Sequence, residues 1–348
     1  MLRLCPFGDY AHRQPLAYPA IRAACAGRIE VVDDIARAEI VAVSHTKDLD
    51  RHAEVLKARI GPDQRLVLLS EEPFWDTVWD PDPLAREGTR ETSRGPLRFT
   101  RLTHLTSDIY RFDRIPYFLL TDPAYARRYA GLFARNAARG AERWRALWAA
   151  APWQAGFMAE ARDNPKYDRG FPQAGVAGLS SRRTRIARAC GTRSLRLGHG
   201  WQPGPRRQAL RDWHLDKLVR LDGQCRLFSA IENTLHPDYV TEKPFDALAM
   251  GAVPLVEAGP GHRLHELLPE GGLWDLKGLP PTEAATAIDS WDPATTDPAP
   301  YMAAQRRMAA LFADPAILRA EYDRLARALE AALAGVCDSP APALSPAG

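Results

Sequence analysis

Residues 228–254 read FSAIENTLHPDYVTEKPFDALAMGAVP. The stretch opens inside an apolar run, 225–231 (CRLFSAI), of the length and composition of a buried strand. The run gives out at Glu232-Asn233, where a loop begins. A helix is predicted over 241–250, with Thr241 as its N-cap, Pro244 in the first turn and Gly251 closing it. A second short strand is predicted over 253–257. A strand, a loop, a helix and a strand in that order form the right-handed unit of an α/β sheet.

The same alternation extends outward in both directions. Residues 28–33 (RIEVVD), 38–44 (AEIVAVS) and 64–70 (QRLVLLS) read as strands, and 52–59 as a helix. The third strand ends at Glu71-Glu72-Pro73, and ligands of open α/β sheets gather at the carboxyl ends of strands. Residues 121–151 form one long helical candidate, with Tyr125, Tyr129, Leu132, Phe133 and Ala137 at helical spacing and Pro152 as its stop. It reads as the passage between two domains. Beyond it, 175–180 and 193–198 read as strands, and 181–190 and 212–221 as helices. Residues 282–300, rich in Pro, Asp and Thr, read as an irregular surface loop, and 301–334 as a final helical stretch. The expected division is 1–150, 151–334, and a tail over 335–348 with the composition of a disordered segment.

Composition narrows the function classes. The 348 residues are 46% hydrophobic and 26% charged, with a formal net charge of +3. That excess is too small to argue for nucleic acid, and the arginines of 121–151 read as a solvated helix face. Lysine occurs only at 47, 57, 166, 217, 243 and 277, so each lysine in this Arg-rich chain is informative. Cys5, Cys25, Cys190, Cys225 and Cys337 are scattered without CxxC spacing; reduced, buried thiols are expected, with neither zinc nor a disulfide framework. The opening MLRLCPFGDYAHRQPLAYPA places Asp9, His12 and prolines where a signal peptide would be apolar. No run reaches the ~18 apolar residues of a membrane span. A soluble, cytoplasmic protein without a transmembrane segment is therefore expected.

The chemistry concentrates at the start of the helix predicted over 241–250. Glu242 and Lys243 fall in its first turn, where free backbone N–H groups and the positive dipole end favour phosphate. A glutamate there complements the dipole without any ligand, and a lysine can be a plain surface charge. Lys243, however, opposes the dipole, so it asks for an anion.

The pattern Ile231-Glu232-Asn233-Thr234, Tyr239-Val240-Thr241-Glu242-Lys243 and Ala252-Val253-Pro254-Leu255 resembles the donor-binding signature of the α1,3/4-fucosyltransferases, glycosyltransferase family 10. Ile231 stands for the usual Phe and Thr234 for the usual Ser. The resemblance implies the GT-B architecture, two Rossmann-like α/β domains facing a cleft with the donor in the C-terminal one. It also implies that Lys243 binds the β-phosphate and that Asn233, Tyr239 and Glu242 contact ribose, phosphates or fucose; Glu232 is either a further contact or structural. The segment Ser180-Ser181-Arg182-Arg183-Thr184-Arg185-Ile186 is similar to a family segment that supplies a phosphate-binding arginine, which makes Arg183 the candidate. Ser70-Glu71-Glu72-Pro73 is similar to a family turn whose glutamate faces the acceptor, making Glu71 the candidate base and Glu72 its neighbouring alternative. The stretch 103–117 (THLTSDIYRFDRIPY) is similar to the family's segment before the domain exchange.

The implied activity is inverting transfer of L-fucose from GDP-fucose to a glycan hydroxyl, with an α1,3-type linkage. A relative that uses another nucleotide sugar such as GDP-mannose, or a non-catalytic carbohydrate binder, would share the fold. No D-x-D motif is present; Asp80-Pro81-Asp82 reads as a proline turn, so no metal is expected and the donor diphosphate would be met by Lys, Arg and a helix start. His199 in LGHGW and the glycines of 259–263 read as turn residues.

Overall fold

The computed structural model describes residues 1–73, 82–202 and 209–338. Asp80, Pro81 and the tail beyond 338 lie outside the described residues. The chain divides into two compact units, one of Met1–Pro123 joined by the chain from Leu318 onward, the other Ala124–Ile317.

The first unit runs β1 (Leu2–Pro6), α1 (Pro19–Ala24), β2 (Ile29–Val31), β3 (Ile40–Val43), α2 (Thr46–Arg51), α3 (Ala53–Arg59), β4 (Arg65–Leu69), β5 (Glu87–Arg90), β6 (Leu97–Leu102) and α4 (Tyr117–Leu120). Its sheet has the order β2-β1-β3-β4-β6-β5. All neighbours are parallel except the edge pair of β5 and β6. All four residues of β3 are buried, as a strand covered on both faces requires. Val41, Val43, Leu66 and Leu68 share one core with Leu49 of α2 and Leu56 of α3.

The second unit runs α5 (Ala124–Ala137), α6 (Ala141–Ala150), β7 (Trp153–Met158), β8 (Gly170–Phe171), β9 (Val176–Gly178), α7 (Ser180–Ala189), β10 (Ser194–Leu197), α8 (Trp213–Leu221), β11 (Cys225–Ser229), β12 (Thr234–Leu235), α9 (Lys243–Ala249), β13 (Val253–Val256), α10 (Leu264–Leu267), β14 (Trp274–Asp275), α11 (Pro281–Ser290) and α12 (Ala299–Ala313). Its main sheet, β10-β7-β11-β13-β14, is parallel throughout. Gly156 lets β7 lie against β11, because a Cβ there would stand 2.6 Å from the Phe228 ring. Both units thus carry the parallel-sheet α/β form expected of the two domains of a GT-B chain.

Several sequence expectations are corrected. The helix predicted over 121–151 is two helices, α5 and α6, with Gly140 as the N-cap of the second. The two pack within the second unit: Tyr129 and Phe133 of α5 meet Phe312 of α12, and Trp148 of α6 meets Tyr301. The change of unit therefore falls after Pro123, against the expected 150. The stretch 282–300 is helical up to Ser290 and irregular only over 291–298; Pro281 starts α11 and Ala284, Ala285 and Ile288 form its buried face. The stretch 301–334 is broken at Asp314-Pro315, and α13 (Pro315–Asp338) follows. From Leu318 onward it belongs to the first unit, where the buried Glu321 Oε1 accepts the backbone N–H groups of Asp113, Arg114 and Ile115. Residues 335–338 of the expected tail are the end of this helix. The cysteines are free, four buried and Cys337 partly so.

Candidate functional site

The chain leaving β11 places Glu232 and Asn233 just beyond the strand's carboxyl end, the ligand end of an open α/β sheet. The Glu232 carboxylate, 8% exposed, accepts the Thr241 N–H at 2.7 Å and the Thr241 hydroxyl at 2.7 and 2.9 Å to its two oxygens. Lys243 Nζ donates to Glu232 Oε2 and to Thr241 Oγ1, both at 2.8 Å, and stands 3.8 Å from Glu242 Oε1. Thr241 is therefore not the N-cap predicted for it. Its hydroxyl is held by Glu232, and α9 starts at Lys243 with Glu242 in the cap position and no side-chain cap bond. The anion that Lys243 asks for is present within the chain. Burial alone would depress the Lys243 ammonium, but Glu232 and Glu242 outweigh it and hold the group above the ordinary lysine range. Burial would likewise raise the Glu242 carboxyl; Lys243 and Lys217 outweigh it and keep Glu242 ionised.

Arg183, on α7, reaches the same strand end. Its Nη1 donates to the Ile231 carbonyl at 2.7 Å and its Nη2 to Asn233 Oδ1 at 3.2 Å. Leu179 N–H donates to the Asn233 carbonyl at 2.9 Å, so α7 and the strand end are tied by backbone as well. Burial pushes Arg183 down to about 10, against the pull of Glu232, which leaves it cationic at neutral pH. Tyr239, 2% exposed, lines a small cavity with Glu232, Pro244 and Glu257. The structure thus brings Arg183, Asn233, Tyr239, Glu242 and Lys243 to one strand end, with Glu232 at their centre.

Two parts of this unit were not read from the sequence. Asp246, fully buried one turn along α9 from Lys243, accepts Lys217 Nζ at 2.8 Å, His214 Nε2 at 2.7 Å and the Tyr129 hydroxyl at 2.6 Å. The available signal was His214 and Lys217, three apart in α8, on the face that also buries Leu218 and Leu221. Arg182 Nε donates to Glu257 at 2.6 Å beyond β13, beside a cavity of about 470 Å³ that Arg185 and Lys277 also line.

Glu71 lies in the first unit, two residues beyond β4. It is 4% exposed, and each of its oxygens is taken by a phenol: Tyr18 Oη donates to Oε1 and Tyr117 Oη to Oε2, both at 2.8 Å. Burial pushes its carboxyl up to about 7, against the two hydrogen bonds that favour the charged form. Glu72 has a different neighbour, Arg13 at 4.0 Å. Tyr117 closes the stretch singled out in sequence as 103–117.

The weaker candidates resolve simply. His199 is exposed in a turn. The N–H groups of Ala258 and Gly259 donate to the Asp275 carboxylate, at 3.1 and 2.7 Å. Among the described residues, one group, Asp9, Asp48 and His52, has ligand atoms close enough for a metal ion. Its carboxylates are already engaged, by Arg51 and His52 and by the N–H groups of Asp9 and Tyr10. No described helix is long and apolar enough to cross a membrane.

Residues 206–286 match the family described as glycosyltransferase family 10 (fucosyltransferase), C-terminal. Among solved structures, an α1,3-fucosyltransferase with GDP-fucose is similar at 12% identity and a TM-score of 0.45, over 97% of this chain and 90% of that one. HepE of Anabaena, in complex with UDP and glucose, is similar at 11% identity and a TM-score of 0.40, over 96% and 99%. No curated protein matches the chain.

Proposed function

From the match of residues 206–286 to the C-terminal model of glycosyltransferase family 10, we propose that this protein transfers L-fucose from GDP-fucose to a glycan hydroxyl, with inversion and an α1,3-type linkage. The observation that carries the reading is the convergence of a buried cation, Arg183, and a partly buried one, Lys243, on the strand end formed by Glu232 and Asn233. In the proposed reaction the bond from the fucose anomeric carbon to the β-phosphate oxygen breaks, and the acceptor oxygen bonds to that carbon from the opposite face. GDP leaves with the electron pair. Arg183 and Lys243 stabilise the charge that develops on it. Glu71 takes the acceptor proton, a role worth about 10²–10⁴-fold. Two fixed cations meet the diphosphate, so no metal is needed.

A thermal-shift series with GDP, UDP and dTDP, each with and without EDTA, tests this. A ligand at a hundred times its dissociation constant adds about 2.7 kcal/mol, several degrees in Tm for a protein of this size. GDP is expected to give that shift, undiminished by EDTA, and UDP and dTDP to give little. Stabilisation by UDP alone, or by GDP only with a divalent ion present, would overturn the reading.

A further inference from the structure

From the paired hydrogen bonds on its two oxygens, we infer that Tyr18 and Tyr117 are positioning residues that fix the Glu71 carboxylate for proton transfer. The inference rests on the proposed role of Glu71 as base. Tyr18 comes from the turn before α1 and Tyr117 from the first residue of α4, so two separate elements converge on one side chain at the end of β4. One phenol on each oxygen, both at 2.8 Å, fixes the carboxylate plane. A carboxylate oxygen carries two lone-pair directions, so each still has one free to accept an acceptor hydroxyl. Burial, and then the Glu71 charge, raise both phenols above the ordinary tyrosine range, so they stay protonated donors at any working pH. The other groups acting on Glu71 are Glu72, which opposes its charge, and Arg13, which favours it. Tyr110 stands edge-on to Tyr117, with ring centroids 4.9 Å apart, and fixes that ring.

The sign of the effect follows. Hydrogen bonds from the phenols favour the carboxylate, so removing one moves the Glu71 titration further up. Tyr18→Phe and Tyr117→Phe keep the rings and delete only the donors. Transfer should be measured as a function of pH for both, beside Glu71→Gln. Each Phe variant is expected to move the acid limb of kcat/KM upward by about one pH unit, which is tenfold at the low-pH end, with activity recovering at high pH and the GDP dissociation constant unchanged. A residue that only supports the fold would lower activity equally at every pH, and that parallel profile would overturn the inference. Tyr117 is buried; if its variant does not fold, the partly exposed Tyr18 decides alone. Full activity in Glu71→Gln would instead remove the base assignment itself. An inactive Glu71→Gln with unshifted Phe profiles would remove only the clamp.

Discussion

Lys243 shows how a structure changes what a single substitution means. In sequence it is a lone cation at a helix start, and its loss should touch only the ligand. In the fold it neutralises Glu232, which Thr241 alone would then hold. Lys243→Ala is therefore expected to lower GDP-sugar turnover by orders of magnitude and also to destabilise the protein. The stability loss is about 1–3 kcal/mol, the cost of leaving a buried polar group without its partner. Adding Glu232→Gln removes the orphaned charge. The double variant should regain stability, read from urea midpoints, and stay inactive. Near-normal turnover in either variant would show that this strand end does not bind the diphosphate. The candidate residues here were readable because they sit within a few positions of one another along the chain. The clamp on Glu71 was not, since Tyr18 is 53 residues from its partner and only the fold joins them.

The elements that carry the site were readable for a different reason. The strands β4 and β11 are apolar runs bounded by polar turns, and α9 is bracketed by Pro244 and Gly251, the latter at φ +82° where only glycine is unstrained. Composition misled where it spoke against pattern. The Pro, Asp and Thr of 282–300 hid α11, whose buried face of Ala284, Ala285 and Ile288 is small and short. Nor did the predicted cap of α9 reveal what anchors it. Its last carbonyls are taken by Asn136 and Gln305, and its middle is held by Asp246 among Lys217, His214 and Tyr129. Breaking a buried charge pair from one side costs about 3–5 kcal/mol. Asp246→Ala should accordingly lower Tm on the order of 10 °C, and weaken GDP binding as well, because the same short helix presents Lys243. A variant within a degree of the parent would show that the network does not hold α9.

Across the whole chain, alternation of strands and helices was enough to predict two parallel-sheet units, and both are present. Where one unit gives way to the other was not predictable from periodicity. The helix that reads as a passage packs on the aromatic faces of α9 and α12, and the last helix returns to the first unit, where its buried Glu321 and its Tyr322 bond to the chain around 113–120. These are tertiary pairings with no local signal. Donor identity is where the proposal stands or falls, and one assay reaches it. The purified protein is incubated with a panel of glycan acceptors and, separately, GDP-fucose, GDP-mannose or UDP-glucose. GDP or UDP release is followed, and the products are identified by mass and anomeric configuration. The expected result is a fucosylated, inverted product from GDP-fucose and none from the other donors. Transfer from GDP-mannose or UDP-glucose, with none from GDP-fucose, would contradict it.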